Sequence, residues 1–232
     1  MGPFELLDLT GLDVSGPVMR QVYDQFYQEP RFRPSPLIDQ RLSAGLLGRK
    51  TGEGFYAYPD GKKAEPEEAG YENVEPGPVW ISNARPERAA FVHEALAAAG
   101  ISVETGDRPS DEAVIVVTPM GADASAAAVS EDLDARRVIG IDTLFPLDRR
   151  RTLMSTPATD RQSIARAAAA FSAGGNPVTM IEDSTGFVAQ RVIATIVNIA
   201  CDIAQAGIAT PEDIDKAVTL GLGYPNGPLS WG

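Results

Sequence analysis

Apolar residues at helical spacing dominate the N-terminal region of the chain. Val18, Val22 and Phe26 follow one another at spacings of four, which predicts a helix over residues 16–28. Two further helices are indicated by their boundary residues, Pro3 with Gly11 and Ser35 with Pro36. Residues 3–47 are therefore predicted to be helical.

Short apolar runs replace this pattern between residues 79 and 181. Helical spacing separates some of the runs, as in residues 89–97 and 163–171. Strands that alternate with helices predict a parallel sheet covered on both faces. The predicted strands are residues 79–81, 101–103, 113–117, 138–141 and 178–181.

Helical spacing returns in the C-terminal region of the chain. Residues 187–206 carry apolar side chains at spacings of three and four, and Thr210 precedes a proline and two acidic residues, as at a capped helix start. Residues 58–78 hold many Pro, Gly, Glu and Lys residues without a period, so we interpret them as a linker. The predicted organisation is a helical segment over residues 1–57, a linker over residues 58–78, a sheet domain over residues 79–181 and a second helical segment over residues 182–232.

The composition is that of an acidic globular protein. The formal net charge is −12, which disfavours nucleic acid and anionic membranes as partners because both carry negative charge. The single cysteine, Cys201, permits no internal disulfide, which fits a reducing cytoplasm, and one His with one Cys cannot build a metal cluster. The sequence shows no signal peptide at its start and no apolar run of the roughly 18 residues that a membrane span needs. We expect a cytoplasmic protein without nucleic-acid, membrane or metal partners.

An internal repeat links the two ends of the chain. Gly227-Pro228-Leu229 matches Gly2-Pro3-Phe4 at the start of a helix in two similar helical regions. Each region would expose an apolar face if it were left alone. We therefore predict that residues 1–57 and 182–232 pack on each other, within one chain or between two.

Long strings at both ends of the chain carry a family resemblance. DSTGFVAQR (183–191) and AGIATPEDIDKAVTLGLGYPNGP (206–228) resemble the start of the C-terminal helical domain of the 3-hydroxyacyl-CoA dehydrogenases. MGPFELLDLTGLDV (1–14) and LLGRKTGEGFYAYPDG (46–61) resemble the end of that domain. VIGIDTLFPL (138–147) is similar to a late segment of the family's nicotinamide-binding domain, with a degenerate sequence. This layout resembles that of family members that contain two such halves.

The resemblance implies an α/β plus all-α architecture. A degenerate, shortened Rossmann-like parallel sheet would be flanked by helical segments like those of the 6-phosphogluconate dehydrogenase C-terminal domain. The parent protein would oxidise (S)-3-hydroxyacyl-CoA to 3-oxoacyl-CoA with NAD, in fatty-acid metabolism by β-oxidation or in related acyl-CoA breakdown. Its partners would be the acyl-CoA substrate and either further copies in a homo-oligomer or the other repeat of the same chain.

The family's catalytic positions hold other residues here. In the family a histidine abstracts the hydroxyl proton and a glutamate orients its imidazole. The aligned stretch GIDTLFP (140–146) places Asp142 at the histidine position and, without gaps, Met154 at the glutamate position. The substrate-contacting asparagine of the helical domain is Gln190. We therefore expect no catalytic residue in this segment and a substrate contact at Gln190.

The NAD motif is missing from the sequence as well. A dinucleotide site needs Gly-x-Gly-x-x-Gly after the first strand, but residues 82–87 read SNARPE. Glu87 would also place negative charge where phosphate should bind. NAD is therefore expected for the parent protein, and no cofactor is expected for this segment.

Basic and nucleophilic residues leave alternatives open. Lys50 and Arg49 stand in a glycine-rich turn, where they are solvated or contact the CoA phosphates or a partner domain. The run from Arg149 to Arg151 allows a solvated face or a CoA phosphate contact. His93 is interpreted as a surface residue and Cys201 as a small core residue.

Three functions stay open at this point. The chain is a segment of an active dehydrogenase, a degenerate scaffold that mimics the second subunit of a dimer, or a worn nucleotide domain that binds another nucleotide. The first two can both be true of one parent protein.

Overall fold

The chain divides into two compact units, residues 1–67 and 68–232, in a computed structural model that describes residues 2–65, 67–68 and 74–231. The division falls inside the segment 58–78 that we interpret as a linker, of which residues 66 and 69–73 lie outside the described residues. The second unit contains both the sheet and the helices that follow it. The domain boundary at residues 181 and 182 stays a prediction.

The first unit is built from three short helices. They are α1 (Pro3–Thr10), α2 (Leu12–Gln25) and α3 (Pro36–Ser43), with 3-10 turns at Pro30–Phe32, Arg49–Thr51 and Pro59–Gly61. Helix α2 begins before the predicted residue 16 because Gly11 ends α1 at a positive φ of 89° and serves directly as the N-cap of α2. Ser35 caps α3 as predicted, since its hydroxyl accepts from the Leu37 amide at 3.3 Å.

The buried carboxylate of Asp8 organises the glycine-rich turn of this unit. Asp8 is 1% exposed and accepts hydrogen bonds from the backbone amides of Phe55 (2.8 Å) and Tyr56 (2.9 Å) and from the Tyr58 hydroxyl (3.0 Å). A Cβ on Gly54 would lie 2.2 Å from the Asp8 Oδ1 atom, so only glycine fits there. Burial, followed by this hydrogen bond, raises the pKa of Tyr58. The turn also contains isolated bridges from Glu53 to Gly48 and Ala57.

The second unit contains a six-stranded sheet. The strands are β1 (Val79–Ile81), β2 (Val103–Glu104), β3 (Val114–Val117), β4 (Val138–Ile141), β5 (Arg151–Ser155) and β6 (Val178–Glu182), in the order β2-β1-β3-β4-β5-β6. All neighbouring pairs are parallel except β4 with β5, which is antiparallel. The predicted purely parallel sheet is therefore wrong, and the sheet is mixed. The connection 142–150 holds no helix and is too short for a crossover of about a dozen residues, so the chain must reverse direction.

Helices cover both faces of this sheet. The helices of the unit are α4 (Pro86–Ala98), α5 (Ala124–Ser130), α6 (Arg161–Ser172), α7 (Val188–Gln205) and α8 (Pro211–Leu222). Val92, Leu96 and Phe171 from α4 and α6 pack in one buried cluster with alternate residues of the strands. Small alanines of α5, together with Phe187, pack in a second cluster with Trp80, Ile115 and Met154. The sequence pattern missed α5 because its buried positions are alanines rather than large apolar residues. Within the described residues, no helix is long and apolar enough to cross a membrane.

Both predicted helical segments expose apolar side chains. In the first unit, Leu6 is 52% exposed and Val18 is 55% exposed. In the second unit, Val192 of α7 is 51% exposed and Leu220 of α8 is 76% exposed. The apolar face of a helix in a complete domain is normally buried, and these side chains are more than half exposed. The predicted packing of residues 1–57 on residues 182–232 stays a prediction.

A buried arginine ties strand β5 to helix α6. Arg151 is 4% exposed, and its guanidinium donates to the carbonyl oxygens of Leu147 (2.8 Å) and Phe171 (2.7 Å). The Phe171 carbonyl belongs to the last turn of α6, where the helix dipole favours a cation. Burial lowers the pKa of Arg151 from its usual value. The interpretation of Arg149–Arg151 as a solvated face is therefore wrong for Arg151, because this side chain fills the core.

We expect Arg151→Met to lower the free energy of unfolding of the second unit by about 2–4 kcal/mol, because two buried carbonyl oxygens would lose their donors. Urea unfolding followed by circular dichroism measures this change. Arg161→Met removes an exposed arginine from the first turn of α6 and is the matched control. Equal stability of the two variants would contradict the role assigned to Arg151.

We expect Asp8→Asn to expose the glycine-rich turn to solvent. Both carboxylate oxygens of Asp8 accept hydrogen bonds, and the NH2 group of an asparagine would face donors that need an acceptor. The cost of a lost charged hydrogen bond is about 1.5–3 kcal/mol. Hydrogen exchange at the Phe55 and Tyr56 amides measures the effect, and both should exchange faster. Asp13→Asn, which removes a surface partner of Lys50, should leave these two amides protected. Unchanged exchange in Asp8→Asn would show that the carboxylate does not hold the turn.

Candidate functional site

The family-aligned positions of the second unit meet where three segments converge. The loop after β3, the loop after β4 and the first turns of α7 lie together at one edge of the sheet. In open α/β sheets this edge, at the carboxyl ends of the parallel strands, is where ligands bind. The candidate site is therefore built from these three segments.

Asp183 and Phe187 fix the start of α7 against the sheet. The Asp183 carboxylate accepts from the amides of Ala124 (2.8 Å) and Ser125 (3.2 Å) at the start of α5 and also bonds the Ser125 hydroxyl. The Phe187 ring is fully buried and lies in van der Waals contact with the position of Gly140. Gly186 allows the turn between them with a φ of 74°. The DSTGF stretch of the family string is therefore a structural anchor, a role that the sequence pattern did not reveal.

This anchor brings Gln190 and Asp142 into contact. The Gln190 Nε2 atom donates to the Asp142 Oδ1 atom at 2.9 Å, and the Gln190 Oε1 atom accepts from the Gly121 amide at 2.9 Å. The same Nε2 atom lies 3.3 Å from the Pro119 carbonyl oxygen. Asp142 also accepts from the Leu144 amide at 3.0 Å. The two residues that the sequence places at the histidine and asparagine positions of the family are thus direct hydrogen-bond partners.

Met154 lies in the core of the sheet near this pair. It is fully buried on β5 and pairs with Gly140, while the Asp142 amide donates to the carbonyl oxygen of Thr152 at 3.0 Å. Cross-strand partners share a face, and residues two apart on a strand do as well. Met154 therefore lies two residue pairs along from Asp142, on the same face of the sheet. A thioether has no charge and accepts hydrogen bonds only weakly, so it cannot orient a proton acceptor.

A largely apolar cavity of about 460 Å³ runs beside Gln190 along α7. Its wall contains residues of α7, of the loops after β3 and β4 and of the last described residues, namely Met120, Gly121, Leu144, Gln190, Ile193, Ala194, Val197, Asn198, Cys201 and Trp231. Cys201 is exposed and borders this cavity, so its interpretation as a core residue is wrong. This residue lies on the face of α7 that borders the cavity and belongs to neither buried cluster of the sheet.

The turn between β1 and α4 is closed by polar side chains. Ser82 is 3% exposed, donates its hydroxyl to the Glu131 carboxylate and accepts from the Ala84 amide at 3.1 Å. Helix α4 begins at Pro86, which has no N–H, and Glu87 follows in the first turn. Here a dinucleotide would need free amides and close backbone approach. The residues present offer a carboxylate and a proline instead, so they do not fit NAD.

The remaining candidate residues are engaged in other contacts. Lys50 forms an ion pair with Asp13, and the hydrogen bond from Lys50 lowers the pKa of Asp13. The Arg49 Nη2 atom lies 3.1 Å from Glu5. Arg150 pairs with Glu68 and lowers the pKa of that carboxyl group. These contacts give Lys50, Arg49 and Arg150 intramolecular partners, and contact of these residues with CoA stays a prediction.

His93 lies half-buried on α4. It borders a small cavity together with Glu104, and the Glu104 carboxylate is occupied by the amide (2.9 Å) and hydroxyl (2.6 Å) of Ser110. Glu104 is therefore engaged by Ser110, and within the part of the chain that the structure describes no hydrogen bond between a carboxylate and His93 is seen. Among the described residues, no group of three His, Cys, Asp or Glu side chains is arranged to hold a metal ion.

Comparison with known proteins identifies relatives of the chain. Residues 1–58 and 186–232 match the family model of the 3-hydroxyacyl-CoA dehydrogenase C-terminal domain. The chain is 32% identical over 238 aligned residues to 3-hydroxyadipyl-CoA dehydrogenase of Escherichia coli K12, covering 100% of this chain and 43% of the relative. A probable 3-hydroxybutyryl-CoA dehydrogenase of Deinococcus radiodurans is 50% identical over 58 residues, which is 25% of this chain and 20% of that protein.

A solved structure extends this similarity to the fold. The crystal structure of 3-hydroxybutyryl-CoA dehydrogenase from E. coli K12 superposes with a TM-score of 0.69 at 30% identity, covering 100% of this chain and 44% of that chain. The chain thus spans less than half the length of these two E. coli relatives. Its mixed six-stranded sheet with helices is an α/β fold similar to that of the 3-hydroxyacyl-CoA dehydrogenases. Through the two matched segments, the chain is similar to the C-terminal domain of the 3-hydroxyacyl-CoA dehydrogenase family.

Proposed function

We propose that this chain belongs to an NAD-dependent 3-hydroxyacyl-CoA dehydrogenase and that its second unit is a non-catalytic, degenerate Rossmann-like half. The parent protein oxidises (S)-3-hydroxyacyl-CoA to 3-oxoacyl-CoA. The observation that carries the non-catalytic role is the hydrogen bond of 2.9 Å between Gln190 and Asp142. These two residues stand where the family has an asparagine and a histidine.

The proton chemistry of the reaction supports this proposal. Hydride transfer from a secondary alcohol leaves a hydroxyl proton that a base must accept, and in the family an oriented imidazole does so. Here the Asp142 Oδ1 atom already accepts from Gln190 and from the Leu144 amide. Met154 supplies no carboxylate on the neighbouring strand. The residues therefore stabilise a loop rather than receive a proton.

The turn after β1 supports the same proposal. Ser82 and Glu131 close it, and Pro86 removes one of the amides at the start of α4. We propose that NAD binds elsewhere in the parent protein, in a half with a glycine-rich turn. The residues of this chain would take no part in holding that cofactor.

The helical segments supply the second element of the proposed role. Residues 1–57 and 182–232 would complete helical domains of the family type by packing on complementary helices, within one chain or between two. Exposed Leu6, Val18 and Val192 support this proposal, because apolar helix faces are normally buried. The acyl-CoA substrate would be a partner of the parent protein through such a completed domain.

We expect the purified chain to show no NADH formation with (S)-3-hydroxybutyryl-CoA and NAD, measured by absorbance at the nicotinamide band. Asp142→His should also be inactive, because Met154 provides no orienting carboxylate. Circular dichroism checks that both proteins are folded. Turnover by the native chain that disappears in Asp142→Asn would contradict the non-catalytic assignment.

We expect Asp142 and Gln190 to be coupled in stability. Asp142→Ala should cost about 1–3 kcal/mol because Gln190 and the Leu144 amide lose an acceptor, whereas Asp142→Asn retains an oxygen and should cost less. A double-mutant cycle of Asp142→Ala with Gln190→Ala should give a coupling energy of about 1 kcal/mol. The same cycle with exposed Gln162→Ala on α6 should be additive. Additivity in the Gln190 cycle would disprove the contact.

A further inference from the structure

A second cavity, of about 430 Å³, lies between α4 and the loop after β4. Its wall is formed by Glu87, Arg88, Phe91, Thr143, Leu144, Phe145 and Pro146. The volume is within the range of small-molecule sites. The proposed dehydrogenase function does not use this cavity.

Arg88 gives the cavity a cation. One Nη1 hydrogen bond, of 2.6 Å, goes to the Thr143 carbonyl oxygen and holds the half-buried guanidinium against the wall. Within the described stretches of the chain, no ion pair joins Arg88 to a carboxylate. A guanidinium has five N–H donors in a fixed plane, so the remaining donors suit a carboxylate or phosphate.

Thr143 adds an unsatisfied polar group. Its side chain is 1% exposed, and among the described residues its hydroxyl has no hydrogen-bond partner. Buried hydroxyl groups are normally paired, and an unpaired one in a cavity wall calls for an explanation. Thr143 lines the cavity, and a ligand oxygen that reached its hydroxyl would provide the missing partner.

The other side chains of the wall indicate which kind of group the rest of the ligand contains. Phe91, Leu144 and Pro146 are apolar, and Phe145 is apolar and 50% exposed. Aromatic walls favour a flat, apolar ligand.

We propose that this cavity binds a small molecule in which one anionic group, a carboxylate or a phosphate, is attached to an aromatic body. Arg88 would bind the anion, Thr143 would bind one of its oxygens, and Phe91 with Phe145 would contact the ring. Glu87 is the one carboxylate in the wall, and its charge limits the affinity for ligands with several negative charges.

Calorimetry of the whole chain with phenyl phosphate, and in a second titration with benzoate, tests this proposal. We expect saturable binding of at least one probe. Arg88→Gln should weaken it about tenfold or more, since charged hydrogen bonds are lost. Glu87→Gln should strengthen it, because a like charge leaves the wall. Arg161→Gln, an exposed arginine in the first turn of α6, is the matched control and should bind as the native chain does.

Thr143→Val distinguishes a binding role from a structural one. Removing an unpaired hydroxyl should leave the thermal stability of the free chain unchanged or raised, while the probe binds several-fold more weakly. No saturable binding of either probe would overturn the proposal. Equal binding by the native chain and Arg88→Gln, or a destabilised free Thr143→Val chain, would overturn it as well.

Discussion

The side-chain amide of Gln190 ties together the three segments on which the candidate site depends. Its oxygen binds the loop after β3 through Gly121, and its nitrogen binds the loop after β4 through Asp142. Gln190 is only 8% exposed, and buried amides are costly unless both ends are paired. Asp142 meets this requirement because a carboxylate accepts the Nε2 hydrogen. The pair is therefore self-consistent as a structural contact, whatever chemistry the same positions perform in relatives.

In both units, a carboxylate accepts hydrogen bonds from a turn that contains a glycine. Asp8 does this beside Gly54 in the first unit. In the second unit, Asp215 of α8 accepts from the Leu229 amide at 2.7 Å and from the Ser230 hydroxyl at 2.6 Å, beside Gly227. The hydrogen bond from Ser230 lowers the pKa of Asp215. The strings that carry the family resemblance at both ends of the chain thus contain carboxylates that hold turns.

The sequence predicted elements wherever apolar spacing was strong. Strand β4 and helix α7 lie close to their expected bounds, since both consist of large apolar residues with a clear period. Helix α5 was missed because alanine packing leaves no such period, and β5 was missed because Arg151 and Thr152 interrupt its apolar run. The direction of β5 then made the sheet mixed.

The sequence predicted which positions form the candidate site, but not the contacts that their side chains make. The alignment indicated Asp142 and Gln190 as replacements, but their mutual hydrogen bond depends on the anchors Asp183 and Phe187, which only a folded structure brings together. The burial of Arg151 was not predictable either, because three consecutive arginines in an acidic chain indicate a solvated face. Its partners are carbonyl oxygens, and these leave no mark in the sequence.

In our proposal, the second unit holds structural contacts in place of a dinucleotide site. Calorimetric titration of the chain with NADH tests this most directly, and the Arg88→Gln variant should be used so that the cavity beside α4 does not contribute. We expect no saturable heat, because Ser82, Glu131 and Pro86 occupy the turn where a diphosphate would need free amides. Stoichiometric binding of NADH to this variant would contradict the claim.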